Sequence, residues 1–546
     1  MEYLITKEEW KKFRGSGVSP DHIMISIIDD AETCMAVTWR TCLDVTDGYV
    51  NYRKFGDNGE WKKCEAFNGE FHSDMDDSRI FWAHISGLEP GTKYEYNCGN
   101  NEYRSGNSYF ITARKNCDKF KFLLLSDVQT GDCDPPADYT LLGEFCEKIF
   151  EKHSDIDFIL TGGDNTNCGQ TDVQWTGLLD GMKNIINHVP FMMAMGNHDD
   201  MGFDNYFTKT GKYYSDKATY FSSQFRGSYN YNGPEDWKTA NYSFDYGNSH
   251  FDCIGLSGPE YVNEWLIKDV DASGKTWKFG SHHFPICYGG TNLACEDSYP
   301  VMMEGLEKFD VLFSGHEHSY ARSYPRRREN LYSKPSEGTI HYNLGSGNRN
   351  PPGTRVVPKV WNACTYEHEV ELSMYAIAEV DSNVLTLTSY LEDGTIIDKC
   401  IIDKNKDEIL PYNVPPKYNK TRIKFKGADL GIGACETFPE QKDGNWFITP
   451  AVMFALIGGD VKRSEGKVRI EAYRHWIEFT ENSDIAVTDR GKIKMCAPVY
   501  RSQRDQLYAD TAALCKAFDM RMNYFYVNNF LSFELESEHI QVPVQP

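Results

Sequence analysis

The sequence predicts a multidomain protein: an N-terminal all-β sandwich, a central α/β domain and a C-terminal α+β domain. Three observations carry this. At 546 residues the chain exceeds what a single hydrophobic core usually organises. From about His22 to Ala113 it breaks into short runs of β-formers separated by turn residues. After Lys119 the texture changes to apolar strand runs alternating with longer helical patterns, as an α/β domain requires.

In the first region the expected strands are His22 to Ile28, Cys34 to Arg40, Tyr49 to Lys54, Ile80 to Ile85, Tyr94 to Cys98 and Tyr109 to Thr112, enough for a sandwich over 20–113. A polar joint at Arg114 to Lys119 leads into the second region, 119–403. There Phe120 to Leu125, Phe158 to Leu160 and Phe191 to Met195 read as apolar strands, and each runs directly into a cluster of Asp, Asn or His. Lys404 to Lys420, with three prolines, reads as a linker. The remainder, 421–546, mixes strand patterns (Val468 to Phe479, Tyr524 to Leu535) with helix patterns (Thr449 to Ile457, Gln506 to Phe518) and offers no chemical motif.

Composition narrows the function classes. A formal net charge of -23 repels a nucleic-acid backbone or an anionic bilayer, so neither is expected as a partner. The dense basic run Arg326 to Arg328 reads either as a solvated loop face or as a rim attracting anionic substrate. No run approaches the roughly 20 apolar residues that span a bilayer, and the first residues show no basic segment followed by an apolar stretch. Sixteen scattered cysteines without regular spacing look like thiols of a reducing compartment, so a cytoplasmic setting is expected.

Five clusters carry the chemistry: Ser126-Asp127-Val128-Gln129, Gly163-Asp164-Asn165, Gly196-Asn197-His198-Asp199, His282-His283-Phe284-Pro285 and Gly315-His316-Glu317-His318. Singly, a Gly-Asp pair is commonly a turn and an Asn-His-Asp triplet a cap or surface loop. Recurring beyond apolar strands, they should land on one edge of a sheet, where loops bear function. Carboxylates, an amide oxygen and imidazoles together suit a pair of borderline metal ions.

Order and content of these clusters resemble the calcineurin-like metallophosphoesterases, and among them the purple acid phosphatases that carry a fibronectin type III-like domain in front. Further segments support the resemblance: Asn97-Cys98-Gly99 with Tyr109-Phe110, Tyr242-Ser243-Phe244-Asp245-Tyr246-Gly247 with His250-Phe251, and Gly315 to Arg322. The run Gly87-Leu88-Glu89-Pro90-Gly91-Thr92-Lys93-Tyr94-Glu95-Tyr96 is similar to a fibronectin-type tyrosine corner. The resemblance covers about residues 20 to 400 and implies a catalytic β-sandwich flanked by helices.

Position by position, the resemblance makes Asp164 the carboxylate bridging two metal ions, with Asp127 and His318 on one and Asn197, His283 and His316 on the other. His198 becomes the acid that meets the substrate phosphate, with Asp199 or another carboxylate orienting its ring. His282, Tyr320 and Arg322 are candidates for contacting substrate, with packing the alternative for His282 and bracing the loop the alternative for Tyr320 and Arg322, and Gly345 to Asn348 for lining the same mouth. Two departures stand out: Asn167 occupies the place of the family's iron-binding tyrosine, and Gln129 that of a frequent histidine, so Gln129 is either a ligand or a hydrogen-bonding residue. Two ions, Fe, Zn or Mn, would activate a shared water for in-line attack on a small phosphate ester. The expected activity is that of a phosphomonoesterase. The alternatives are a phosphodiesterase or nucleotide hydrolase on the same site, or a non-catalytic binding protein with a vestigial one.

Overall fold

A computed structural model describes residues 6–130, 137–200, 219–235, 240–256, 258–290, 299–328, 330–349, 356, 359, 361–366, 372–412, 421–430, 437–502, 506–525 and 530–536. The chain divides into two compact units, Met1–Pro415 and Pro416–Pro546.

Unit one opens with a short helix that the sequence reading did not anticipate, α1 (Lys7–Phe13). Thr6 and Glu9 close a capping box over its first turn, and Trp10 is buried. Eight strands follow: β1 (Asp21–Ser26), β2 (Met35–Cys42), β3 (Tyr49–Lys54), β4 (Lys62–Glu65), β5 (Phe67–His72), β6 (Asp77–Ile85), β7 (Lys93–Gly99) and β8 (Ser108–Ile111). They form two four-stranded sheets, β1-β2-β6-β5 and β4-β3-β7-β8. Val37, Trp39, Phe81, Tyr94, Tyr96 and Phe110 belong to their shared core. The strands missed from sequence, β4 and β5, lie at sheet edges and include Lys, Glu, Asn and Gly, poor β-formers held by their partners rather than by their own preference. At the expected tyrosine corner, the Tyr94 hydroxyl accepts a hydrogen bond from the Glu89 amide at 2.9 Å.

The larger part of unit one contains β9 (Lys119–Leu125), α2 (Thr140–Lys152), β10 (Phe158–Thr161), α3 (Asp172–Ile186), β11 (Phe191–Met193), α4 (Thr219–Gln224), β12 (Tyr242–Tyr246), β13 (Ser249–Ile254), α5 (Pro259–Ala272), β14 (Trp277–His282), α6 (Tyr299–Leu306) and β15 (Val311–Ser314). It continues through β16 (Tyr320–Ser323), β17 (Arg326–Arg327), β18 (Asn330–Leu331), β19 (Ile340–Leu344), β20 (Asn362–Tyr366), β21 (Met374–Asp381), β22 (Val384–Leu391), β23 (Ile396–Asp403) and β24 (Glu408–Leu410). Two seven-stranded sheets result, β11-β10-β9-β21-β22-β23-β24 and β12-β13-β14-β15-β19-β16-β20. The three apolar runs read from sequence are the mutually parallel strands β9, β10 and β11. In the second sheet β13, β14 and β15 are likewise parallel.

Aromatic rings join the sheets face to face. Phe122 stacks on Phe158 at 5.1 Å and meets Phe251, Phe279 and Phe313 edge-on. Each such buried ring contributes about 1.5–3 kcal/mol, so the sheets hold the loops at their ends on a stiff frame. Beyond the polar joint, Tyr96 donates its hydroxyl to the Asn187 carbonyl at 2.6 Å, which ties the first sandwich to the end of α3. Trp10 Nε1 donates to Asp172 Oδ2 at 3.0 Å, adding a second tie.

Unit two has its own core, with Phe454, Ile470, Ile477, Phe479, Leu514, Phe518, Leu531 and Phe533 among its members. Its five-stranded antiparallel sheet spans Asp460–Ser464, Lys467–Ala472, His475–Thr480, Ile485–Thr488 and Gly491–Lys494. The expected helix Gln506 to Phe518 is corrected here. Leu507–Asp510 is a strand, and Asp510 then caps a helix over Thr511–Phe518 by accepting from the Ala512 amide. The expected linker is corrected as well, since Glu408–Leu410 pairs with β23, while 413–420 lie outside the described residues.

Candidate metal centre

The loops leaving the carboxyl ends of β9, β10, β11, β14 and β15 bring the five clusters together. Asp127, Asp164, His316 and His318 all adopt left-handed backbone conformations, with φ between 50° and 72°. Non-glycine residues take such conformations only where the surroundings impose them, and they concentrate at functional sites. The two loops carrying the aspartates interlock: the amides of Asp127 and Val128 donate to the carbonyls of Gly163 and Asp164, each at 3.0 Å.

Around Asp127, Oδ2 accepts from the Ser126 hydroxyl at 2.7 Å and Oδ1 from the His316 amide at 2.8 Å. His318 Nε2 stands 3.4 Å from Asp127 Oδ1, and the Gln129 amide nitrogen is 3.4 Å from the same ring nitrogen. Asp127, Gln129 and His318 therefore form one group. In the other, His283 Nε2 lies 3.1 Å from Asn197 Oδ1 and 3.1 Å from Asp164 Oδ2. Donor atoms of Asp164, His283 and His316 all fall within 4.8 Å of one another.

Two glycines permit these approaches. A Cβ on Gly196 would sit 2.1 Å from Asp164 Oδ1, and one on Gly315 would sit 2.3 Å from Asp127 Oδ2 and 3.1 Å from His283 Nδ1. The Gly315 backbone thus passes between the two groups.

Hydrogen bonds behind the donors set their orientation. His283 Nδ1 lies 2.9 Å from the Gly162 carbonyl and donates there, which fixes the ring with Nε2 facing Asn197 and Asp164. Burial lowers the basicity of the His283 imidazole, but the Asp164 carboxylate outweighs it and raises the pKa to about 9. Burial would raise the Asp164 carboxyl, yet His283 and the other nearby imidazoles hold it well below the usual carboxylate range. His316 is pushed down to about 4 by burial and by His283. This donor set of carboxylates, an amide oxygen and oriented imidazoles suits borderline metal ions.

His198 is part-exposed, its amide donating to Asp164 Oδ1 at 2.8 Å and its Nε2 lying 4.0 Å from Asp164 Oδ2. Its ring is oriented by the backbone carbonyl of Asn167, 2.9 Å from Nδ1. Asp199 does not perform that task, which corrects the expectation from sequence. Its fully buried carboxylate accepts from the Asn165 side chain, the Thr166 amide and hydroxyl, and the Gly196 amide, at 2.8–3.1 Å. Asp199 therefore fastens the Asp164 loop to the Asn197 loop. Burial and the Asp164 charge raise its carboxyl to about 6.

Tyr320 and Arg322 are corrected likewise. Two residues apart on β16, they share the face turned toward the opposing sheet, where the Tyr320 hydroxyl and the Arg322 Nε both donate to Asp398 Oδ2 at 2.6 Å. Both are buried, so they join the sheets and do not meet substrate. His282 is also buried, with Nδ1 3.4 Å from the Ile254 carbonyl and its basicity lowered to about 4 by burial, as befits a packed ring. Gly345 to Asn348 back the Asp127 loop: the Ser346 hydroxyl donates to the Asp127 carbonyl at 2.8 Å and Asn348 Nδ2 to the Gln129 carbonyl at 3.2 Å. In the basic run, Arg326 is buried with its Nη1 3.3 Å from Cys287 Sγ, so the run is not a uniformly solvated face.

Sequence reasoning singled out Asn165 and Ser346 without the bracing roles they have here, and missed the carbonyls of Gly162 and Asn167. Side-chain chemistry signals none of the carbonyls, and Asn165 and Ser346 stand in turn-like contexts that give no hint of partners far along the chain.

Comparison with known proteins bears on the fold that carries these residues. Residues 120–320 match the family described as calcineurin-like phosphoesterase, and residues 20–113 match the purple acid phosphatase N-terminal domain. Purple acid phosphatase 15 of Arabidopsis thaliana is 26% identical over 310 residues, covering 49% of this chain and 53% of that protein. A protein named probable inactive purple acid phosphatase 1, also from Arabidopsis thaliana, is 22% identical over 388 residues, covering 61% of this chain and 59% of its own. The chain thus spans little more than half the length of these curated relatives. Among solved structures, a purple acid phosphatase from yellow lupin (Lupinus luteus) seeds superposes with a TM-score of 0.57 at 18% identity, covering 71% of this chain and 75% of that one.

Proposed function

From a chain that carries a calcineurin-like phosphoesterase domain behind a purple acid phosphatase N-terminal domain, we propose an enzyme that hydrolyses small phosphate monoesters with the help of two metal ions. The observation carrying this reading is the convergence of Asp127, Gln129 and His318 beside Asp164, Asn197, His283 and His316, each on a loop braced from behind. In this reading Asp127 and His318 would hold one ion and Asn197, His283 and His316 the other, with Asp164 available to both. Such a pair supplies charge neutralisation for the phosphoryl oxygens and a nucleophile available near neutral pH. Asn167 stands where the purple enzymes have tyrosine, which favours Zn or Mn over a coloured ferric site.

The chain's own residues supply the rest. His198, with Nδ1 held by the Asn167 carbonyl, directs Nε2 toward the rim of the centre, where it stabilises charge on the ester or hands a proton to the leaving oxygen. Asp199 keeps the Asp164 and Asn197 loops in register, and the Ser346 hydroxyl does the same for the Asp127 loop. Precision of this kind matters because phosphoryl transfer relies mainly on positioning and electrostatics. The names of some relatives include "probable inactive", which makes a vestigial centre the competing reading; the intact donor set argues against it. A cytoplasmic setting belongs to the same proposal, supported by thirteen free cysteines among the described residues. Among those residues no helix is long and apolar enough to cross a membrane.

The test is hydrolysis of paired aryl phosphate mono- and diesters by metal-analysed protein beside Asp164→Ala and His198→Ala. Monoester turnover requiring about two ions per chain and falling at least about 100-fold in both variants is the expected result. Diester preference would replace the monoesterase reading by the diesterase one. Metal-loaded protein inert toward both esters across a broad pH range would leave the binding-protein reading standing.

A further inference from the structure

A second cluster of donors lies away from this centre, on the face of β13 covered by α5. His250 and Asp252 are two residues apart on β13 and therefore share a face; Asp269 comes from the last turn of α5. His250 Nε2 stands 3.3 Å from Asp252 Oδ2 and 3.3 Å from Asp269 Oδ2. In register, His250 sits opposite Lys278 of β14, five residues before His283.

Well-aligned hydrogen bonds do not account for this arrangement. His250 Nε2, both carboxylate oxygens of Asp252 and Oδ2 of Asp269 are all buried, and beyond the ion pairs of His250 with the two aspartates none of them makes an aligned hydrogen bond. Asp252 is 1% exposed and His250 5%. A buried imidazolium paired with a carboxylate would be expected to align its N–H with one oxygen, since an unmade hydrogen bond at a buried charge is costly. Here the nitrogen is equidistant from two oxygens and aligned with neither. The other ring nitrogen, Nδ1, is held at 2.7 Å by Asp245 Oδ1, across from it on β12. A carboxylate on one imidazole nitrogen with the second nitrogen facing further donors is the usual setting of a metal-bound histidine. An ion held tetrahedrally by ligands at about 2.0 Å places them about 3.3 Å apart, the spacing observed.

We infer that His250, Asp252 and Asp269 form a third metal position, for a Zn²⁺-like divalent ion that clamps α5 onto β13. The site is structural: it has one imidazole and two carboxylates, and it lies under a helix instead of at the loop edge. Bound there, the ion takes one donor atom from each of the three residues and links β13 to α5, whose Val262, Leu266 and Val270 are buried.

Full-length protein is loaded with Zn²⁺, desalted and analysed for metal per chain, alongside Asp252→Asn, Asp269→Asn and Asp164→Asn. Loss of about one Zn²⁺ per chain in each of the first two variants, additive with the loss in Asp164→Asn, is expected, together with a lowered melting temperature and retained ester turnover. Wild-type metal content in folded Asp252→Asn and Asp269→Asn overturns the inference. Should both variants fail to fold, anomalous diffraction at the zinc edge from wild-type crystals grown with Zn²⁺ decides. A peak about 2 Å from His250 Nε2 supports the site, and its absence refutes it.

Discussion

Gly196 shows how finely single residues control the centre. A methyl group there would lie 2.1 Å from Asp164 Oδ1 and 2.2 Å from the Asp164 amide, and the backbone atom has nowhere to go. Gly196→Ala should displace the Asp164 loop and reduce both bound metal and kcat, the latter by about 100-fold, with little change in the far-UV circular dichroism. A variant with wild-type metal content and turnover would show that the loops are looser than described. The convergence of these side chains was legible from sequence because each is chemically distinctive and follows an apolar strand. The roles of Asp199, Tyr320 and Arg322 were not. Periodicity places Tyr320 and Arg322 on one face of β16 but does not say which face meets the opposing sheet, and nothing near Asp199 announces that its partners are Asn165, Thr166 and Gly196.

At the level of elements, the junction of α1 with α3 has a built-in response to pH. Burial raises the Asp172 carboxyl from 3.8 to about 6, against the pull of Arg40 and the hydrogen bond from Trp10. A carboxyl whose folded pKa exceeds its unfolded one binds protons more tightly in the native state. Its contribution is thus complete below about pH 4 and is lost as pH rises through about 6. Asp172→Asn lacks this titration, so its stability relative to wild type should improve between pH 4 and pH 7, by up to about 3 kcal/mol. Urea unfolding of both proteins at the two pH values checks this, and a constant difference would refute it. Helix α1 itself escaped the sequence reading because seven residues give too little periodicity, even though Thr6 and Glu9 spell a capping box. Strands β9, β10 and β11, by contrast, were legible as apolar runs, broken only by Lys121 in β9.

For the whole molecule, the division at Pro415/Pro416 separates all the site residues from a second unit with its own sheet and core. Residues 421–546 expressed alone should unfold cooperatively, whereas residues 1–415 should retain ester turnover. Thermal melts and the aryl phosphate assay on the two fragments test this; a non-cooperative melt of the smaller fragment would show that its core depends on the larger. The succession of a short-stranded sandwich and a part with longer apolar strands was readable from the shift in strand texture. The tail's internal order was less so, because Leu507–Asp510 and Thr511–Phe518 form one apolar stretch whose break depends on the Asp510 cap.

His198 is gripped by a peptide carbonyl, and every residue type provides one. Mutational drift at position 167 can therefore exchange the side chain there, asparagine for tyrosine or the reverse, without unseating the His198 imidazole. The orientation of the His198 ring is in this way independent of the side chain carried at position 167.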